Sequence, residues 1–253
     1  MGNGMQTEKK KNKKGTLKKG TLKTGVALIK YGINLKINMA AMVLFTLLGI
    51  GMEWLLVFVF PSRQWVWGMW LDVGAVLLFC AAMYPSQILM SLGLSSMVEG
   101  SCYKKKLHTS VPVLISMGGN LAAVAVILLI RGLGAWRAPE RASELILDMA
   151  GVGLLVLAID ILAAFIYKFF YLSMVIYVAV GVCFGTVSGF YAAVKEEIPH
   201  VLPEWHINAS GAVVFCLAMV FLGGALQYMV YVAVYKRPFS KAAFGSNTAK
   251  RLV

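Results

Sequence analysis

Apolar residues in this chain do not recur with the spacing of a half-buried surface helix; they come in long runs separated by short polar intervals. A hydrocarbon layer about 30 Å thick needs roughly 20 mostly apolar residues to cross it as a helix. Runs of that length cover residues 38–60, 66–94, 111–130, 145–167, 169–194 and 209–235. The stretch 145–194 is one nearly unbroken apolar block, too long for a single crossing, and it divides at Lys168, where a tight turn fits. Pro85, within "AAMYPSQIL", predicts a kink near the inner end of the second run. The pattern predicts an all-α polytopic membrane protein with six transmembrane helices, its membrane domain spanning 37–237 and a short tail following at 238–253.

The polar N-terminus divides in two. Residues 1–14 contain Lys, Asn, Gly and Glu and almost nothing apolar, the composition of a disordered basic tail. In the 15–36 segment, "GTLKKGTLKTG" repeats a five-residue unit twice. It is followed by "VALIKYGINLKI", with Val26, Leu28, Ile29, Ile33 and Leu35 interleaved with Lys30, Tyr31 and Lys36. This reads as a basic amphipathic helix over about 21–36, lying on the inner leaflet. Its alternative is an extension of the first span whose lysines snorkel to the interface.

Composition agrees with the pattern. The 253 residues are 59% hydrophobic and 14% charged, with mean hydropathy +0.76, well above the apolar share of an average soluble domain. The formal net charge of +13 is unevenly placed. With both termini in the cytoplasm, inner segments hold 19 of the 24 Lys and Arg, leaving Arg63, Arg131, Arg137, Arg141 and Lys195 outside. Orientation and attraction to anionic lipid account for the surplus, so no nucleic-acid partner is expected. Cys80, Cys183 and Cys216 fall in spans and Cys102 in an inner loop, which predicts neither a disulfide nor a metal site. The basic leader is too long for a signal-peptide n-region, and no cleavable signal is expected.

Catalytic motifs are absent. "GTLKKGTL" lacks the Gly-Lys-Ser/Thr ending of a phosphate loop, no HExxH occurs, and His108 falls inside while His200 and His206 fall outside. "KEEIPHVLPEWHINAS" is weakly similar to the paired-glutamate and histidine signatures of intramembrane proteases. However, no arginine follows Glu196 and Glu197, and Pro199 and Pro203 put the histidines in a loop. The segment reads as an outer cap with Trp205 at the headgroup level, and no catalytic residue is assigned.

Acids within the spans carry more weight, because ionisable groups at membrane depth are costly. Glu53 and Asp72 come to one level, roughly 9 to 12 Å below the outer surface at the rise of a helix. They read as partners of Arg63 or of donors in the outer loops, lining a water-accessible vestibule. Asp160 falls in the inner half of the fourth span. Asn120, near the middle of the third, is the sole stepping stone for a proton between these depths, which argues against a relay. Gly181, Gly185 and Gly189, four apart in "GVCFGTVSG", predict a bare helix face for close packing against another helix. Between the second and third runs, "SSMVEGSCYKK" has the marks of a short helix, with Ser95 or Ser96 as cap and Glu99 following. Its Met97, Val98 and Tyr103 suit contact with a soluble partner; a solvated basic loop is the alternative.

Taken together, these features resemble the membrane subunit of a type 2 ABC exporter. They are a basic amphipathic N-terminal helix, six spans with both ends inside, a short helix between spans 2 and 3, almost no loop between spans 4 and 5, and a Pro-broken outer segment between spans 5 and 6. Within that family the layout is most similar to half-size permeases of bacterial peptide exporters, such as those for phenol-soluble modulins. The resemblance implies a multi-pass subunit of a bacterial plasma membrane that binds no cofactor itself, with ATP and Mg on a separate ATPase. It assigns residues 95–106 as the coupling helix, through Ser96, Met97, Val98, Glu99, Cys102, Tyr103 and Lys104. Leu28, Lys30, Tyr31 and Leu35 become the interfacial helix, and Glu196, Glu197, Pro199, Pro203 and Trp205, within 195–207, the outer gate. Spans 1 and 5 would meet a second permease copy through Gly181, Gly185 and Gly189, and Glu53, Asp72, Asn120 and Asp160 would line the pathway. The substrate implied is amphipathic or hydrophobic, a toxin or antimicrobial peptide above all, and the 14 Met and 13 Phe suit an adaptable apolar cavity. The competing class is a secondary transporter coupled to protons through Glu53, Asp72 or Asp160.

Overall fold

The computed structural model describes residues 27, 29, 35–59, 72–92, 104–179, 182 and 208–237. Among them the chain is helical throughout, with turns and no strand. The long helices are α1 (Leu35–Trp54), α2 (Val73–Leu92), α4 (Ser110–Arg137), α6 (Met149–Ile166) and α8 (Ala209–Ala233). Shorter ones are α3 (Lys104–His108), α5 (Ala142–Leu147) and α7 (Phe170–Ala179). Five helices are long and apolar enough to cross a membrane, α1 with its continuation to Val59 and α4 joined to α3. A helix satisfies every backbone polar group internally, which is why apolar runs of this length adopt it.

Local departures from regular helix have local causes. α1 continues into a π-helical turn, Leu55–Val59, directly after Trp54. Beside Pro85 in α2, the Ser86 hydroxyl donates to the Met83 carbonyl at 2.7 Å. Thr109 breaks the helix between α3 and α4, its hydroxyl bonding the Lys105 carbonyl at 2.6 Å. The turn at Tyr167–Lys168 separates α6 from α7, the division expected at Lys168.

Contact pairs fix the directions. Phe45 stacks on Tyr84 and Gly49 meets Leu78, while Glu53 lies on Gly74, so α1 and α2 are antiparallel. α4 packs against α2 through Gly119 and Ala82 and runs antiparallel to it, with Met90 beside Val113 and Ala75 beside Ile127 in shared clusters. α6 and α8 are parallel: Gly153 meets Cys216, Asp160 meets Gly223, and Tyr167 clusters with Tyr231. The core lies where α2, α4, α6 and α8 converge, around Phe79, Val124, Ile127, Met149, Val156 and Val220. α1 is peripheral, burying only Gly49 and Glu53 along its length.

Several sequence boundaries shift. The third run, expected over 111–130, is a helix to Arg137, so Arg131 rides on α4 rather than in an outer loop. Asp72 stands outside the helix that follows it and caps it, instead of lying about six residues inside. The run expected over 145–167 is two helices broken at Asp148. Leu35 and Lys36 open α1 and are continuous with the long apolar helix.

Candidate functional site

Three helices bring charge together at one end of the bundle. Glu53 from α1 is fully buried, and Arg131 from α4 is 2% exposed. The Arg131 fork meets Glu53 with Nε on Oε2 and Nη2 on Oε1, each at 3.4 Å. Nη2 also pairs with Asp72 Oδ2. The other Asp72 oxygen, Oδ1, accepts the Ala75 backbone N–H at 3.0 Å and so caps α2. Gly74 makes this approach possible, since a Cβ there would stand 2.8 Å from Glu53 Cγ and 2.9 Å from its backbone nitrogen. The planar guanidinium can serve two carboxylates at once, which a lysine could not do in this geometry. Its Nη1 is buried without a hydrogen-bond partner.

Separating charge from capping gives a test. Asn is nearly as good a helix cap as Asp, so Asp72→Asn removes the charge and keeps the cap, whereas Asp72→Ala removes both. The alanine variant is expected to be less stable by about 1 kcal/mol more than the asparagine variant, measured by thermal unfolding in detergent. Equal losses would mean that the cap contributes nothing.

A second polar cluster lies among α4, α6 and α8. Asn120 Nδ2 donates to both oxygens of Asp160, at 3.0 and 3.1 Å, and both residues are buried. Ser116, one turn before Asn120, is fully buried, and its hydroxyl has no hydrogen-bond partner among the described residues. Gly223 leaves the room: a Cβ there would be 2.6 Å from Asp160 Oδ2. Further along α8, Gln227 Nε2 donates to the Tyr231 hydroxyl at 3.4 Å.

The opposite end from the Arg131 cluster is basic. It gathers Lys104, Lys105 and Lys106 of α3 with Lys168, Lys236 and Arg237. The Lys168 ammonium donates to the Arg237 carbonyl, and the Arg237 guanidinium sits 5.0 Å from the Phe169 ring centre. His108 packs edge-on to Tyr235, with ring centres 6.3 Å apart.

Of the residues singled out by sequence, Glu53 and Asp72 are brought together, as are Asn120 and Asp160. The donor for the first pair is Arg131, which the charge count had set in an outer segment; the expected partner Arg63 lies outside the described residues. Lys104 opens α3. Ser96, Met97, Val98, Glu99, Cys102 and Tyr103 lie outside the described residues, as do Leu28, Lys30 and Tyr31. So do Gly181, Gly185 and Gly189, and Glu196, Glu197, Pro199, Pro203 and Trp205. Sequence reading missed Arg131 and the glycines at the helix crossings. Arg131 carries one signal: it is followed by five uncharged residues, Gly132 to Trp136, before Arg137, which permits the helix to continue. Comparison with protein-family models, with curated proteins and with solved structures gives no match.

Proposed function

We propose that this chain is the permease subunit of an ATP-driven exporter, working as a pair of permeases with a separate ATPase and moving an amphipathic or hydrophobic substrate, a peptide above all. The observation that carries the reading is the parallel packing of α6 and α8. α6 finishes at the basic end and α8 starts at the other, with α7 following α6 after the tight turn. A sixth crossing between α6 and α8, with both termini on the basic side, suits this arrangement, and basic flanks are the cytoplasmic ones. α3 stands at that same end, between α2 and α4, where the family layout sets its coupling segment. α1 and α7 carry the most exposed apolar faces, including Leu47, Tyr171 and Val175, as suits helices that meet lipid or a second copy. In this reading the basic segment that precedes Leu35 lies on the inner leaflet of a bacterial plasma membrane, residues 195–207 gate the outer side, and ATP with Mg acts on the partner.

The competing reading, secondary transport driven by protons, loses Glu53 and Asp72, which Arg131 engages, and is left with Asp160 alone. Purification of the protein from its host in mild detergent tests the exporter. An ATP-hydrolysing subunit is expected to co-purify and to be lost when Met97, Val98 and Tyr103 are changed to aspartate. No ATPase with the unaltered protein would sink the reading. Orientation is checked by thiol labelling in a chain whose four cysteines have been replaced. A cysteine at Lys105 is expected to react from the cytoplasmic side alone, and one at Arg137 from the outer side alone.

A further inference from the structure

The buried carboxylates of this bundle are neutralised unequally. Glu53 and Asp72 share the Arg131 guanidinium. Asp160 is 1% exposed and, among the described residues, has no cationic partner. Its contacts are the Asn120 amide and the bare backbone of Gly223, with Ser116 one turn before Asn120 on α4. The titratable groups on α8, on α2 and at the end of its own helix are Cys216, Tyr228 and Tyr231, Cys80 and Tyr84, and Tyr167; none carries positive charge at neutral pH. The buried arginine of α4 is Arg131, toward its outer end, eleven residues beyond Asn120 and so roughly 16 Å along the helix, and it is already engaged. A carboxylate enclosed in apolar surroundings without countercharge is strongly unfavourable.

The site also has unused oxygen. Asn120 Oδ1 and Ser116 Oγ are both buried and, among the described residues, have no hydrogen-bond partner. Ser116 and Asn120 are four residues apart on α4, so both face α6 from one side of the helix. We propose that Asp160, Asn120 and Ser116 form a binding site for a single monovalent cation, a proton or an alkali ion, whose occupancy holds α4, α6 and α8 together. A proton on one Asp160 oxygen donates to Asn120 Oδ1 once the amide turns over, a rotation that exchanges its oxygen and nitrogen. An alkali ion takes the carboxylate, the amide carbonyl and the hydroxyl, all hard oxygen donors of the kind such cations prefer. A divalent ion does not fit, since one carboxylate leaves it half neutralised. Gly223 couples the site to packing, because an empty, charged carboxylate then faces the α8 backbone directly and favours parting of the α6–α8 seam. The site stands apart from the exporter reading and holds whichever energy source drives the protein.

The test is the melting temperature of the full-length protein in detergent. Sodium is exchanged for choline at constant ionic strength, and separately pH is varied without sodium. A ligand bound by the folded state alone raises the melting temperature as it saturates, by on the order of 5 °C for a chain of this size. If the ligand is an alkali ion, the wild type rises with sodium. If it is a proton, stability falls as pH rises, because only the folded state retains the proton. Asp160→Asn, which keeps shape and removes charge, is expected to flatten the response. Identical responses from wild type and Asp160→Asn, or no response from wild type, overturn the proposal. Ser116→Ala keeps the carboxylate and removes one oxygen, and it decides the matter if the first variant fails to fold. It is expected to move the midpoint by about tenfold in ligand concentration, the effect of one hydrogen-bond-sized interaction; an unmoved midpoint overturns the three-residue site.

Discussion

Replacing Arg131 by leucine is expected to destabilise the bundle by about 3–5 kcal/mol, the usual consequence of removing one partner from a buried ion cluster. The substitution leaves Glu53 and Asp72 without a cation, Glu53 fully buried and Asp72 nearly so. A loss of that size is a large share of the roughly 5–15 kcal/mol that holds a typical protein folded. The measurement is the monodisperse fraction in detergent together with the melting temperature. A triple variant, Glu53→Gln, Asp72→Asn and Arg131→Leu, removes all the charge and is expected to recover most of the loss, because these residues act as one unit. Arg131→Lys keeps the charge but cannot span two carboxylates, and it should fall between. If Arg131→Leu melted with the wild type, the cluster would be dispensable and α1 would be held by its glycine contacts with α2 alone.

The second large effect is expected at Gly153. A Cβ there would stand 2.8 Å from the Cys216 Cα and 3.4 Å from its backbone nitrogen, so α6 and α8 must separate to admit one. Backbone cannot turn aside as a side chain can. Gly153→Ala is expected to cost about 1–3 kcal/mol, with Gly153→Leu costing more, as overpacking does at a close helix crossing. Gly118 on α4 supplies the control, since a Cβ there meets nothing within 4 Å, and Gly118→Ala should be neutral or slightly stabilising. Equal effects at the two positions would mean that the parallel crossing does not depend on close backbone approach.

Parts of the site were legible in sequence and parts were not. Glu53, Asp72 and Asp160 stand out because acids are rare in apolar runs, and the antiparallel pairing of α1 with α2 brings the first two to one level. Their partner was hidden. Arg131 directly follows an apolar run, and a hydropathy reading assigns such a charge to the nearest water, although the helix continues to Arg137 and turns the guanidinium inward. Asp72 looked deeper than it is because residues before it are apolar, while its own role is to cap α2. The spacing rule for small residues picked Gly181, Gly185 and Gly189, which lie outside the described residues. Gly74, Gly153 and Gly223, which form close crossings among the described helices, follow no four-residue repeat.

The sequence by itself determined that the chain is built of long apolar helices, where the block at 145–194 turns, and which end of the bundle is basic. These are local properties: helix length follows from hydrocarbon thickness, a turn follows from a polar interruption, and lysine stays near water wherever the chain puts it. Only the tertiary structure decided that Arg131 serves Glu53 and Asp72 and that Asn120 faces Asp160, across 78, 59 and 40 residues of chain. Such pairs depend on which faces of two helices meet and at what depth. A crossing made by a single glycine fixes both, and a residue's sequence neighbours say nothing about the helix on the other side.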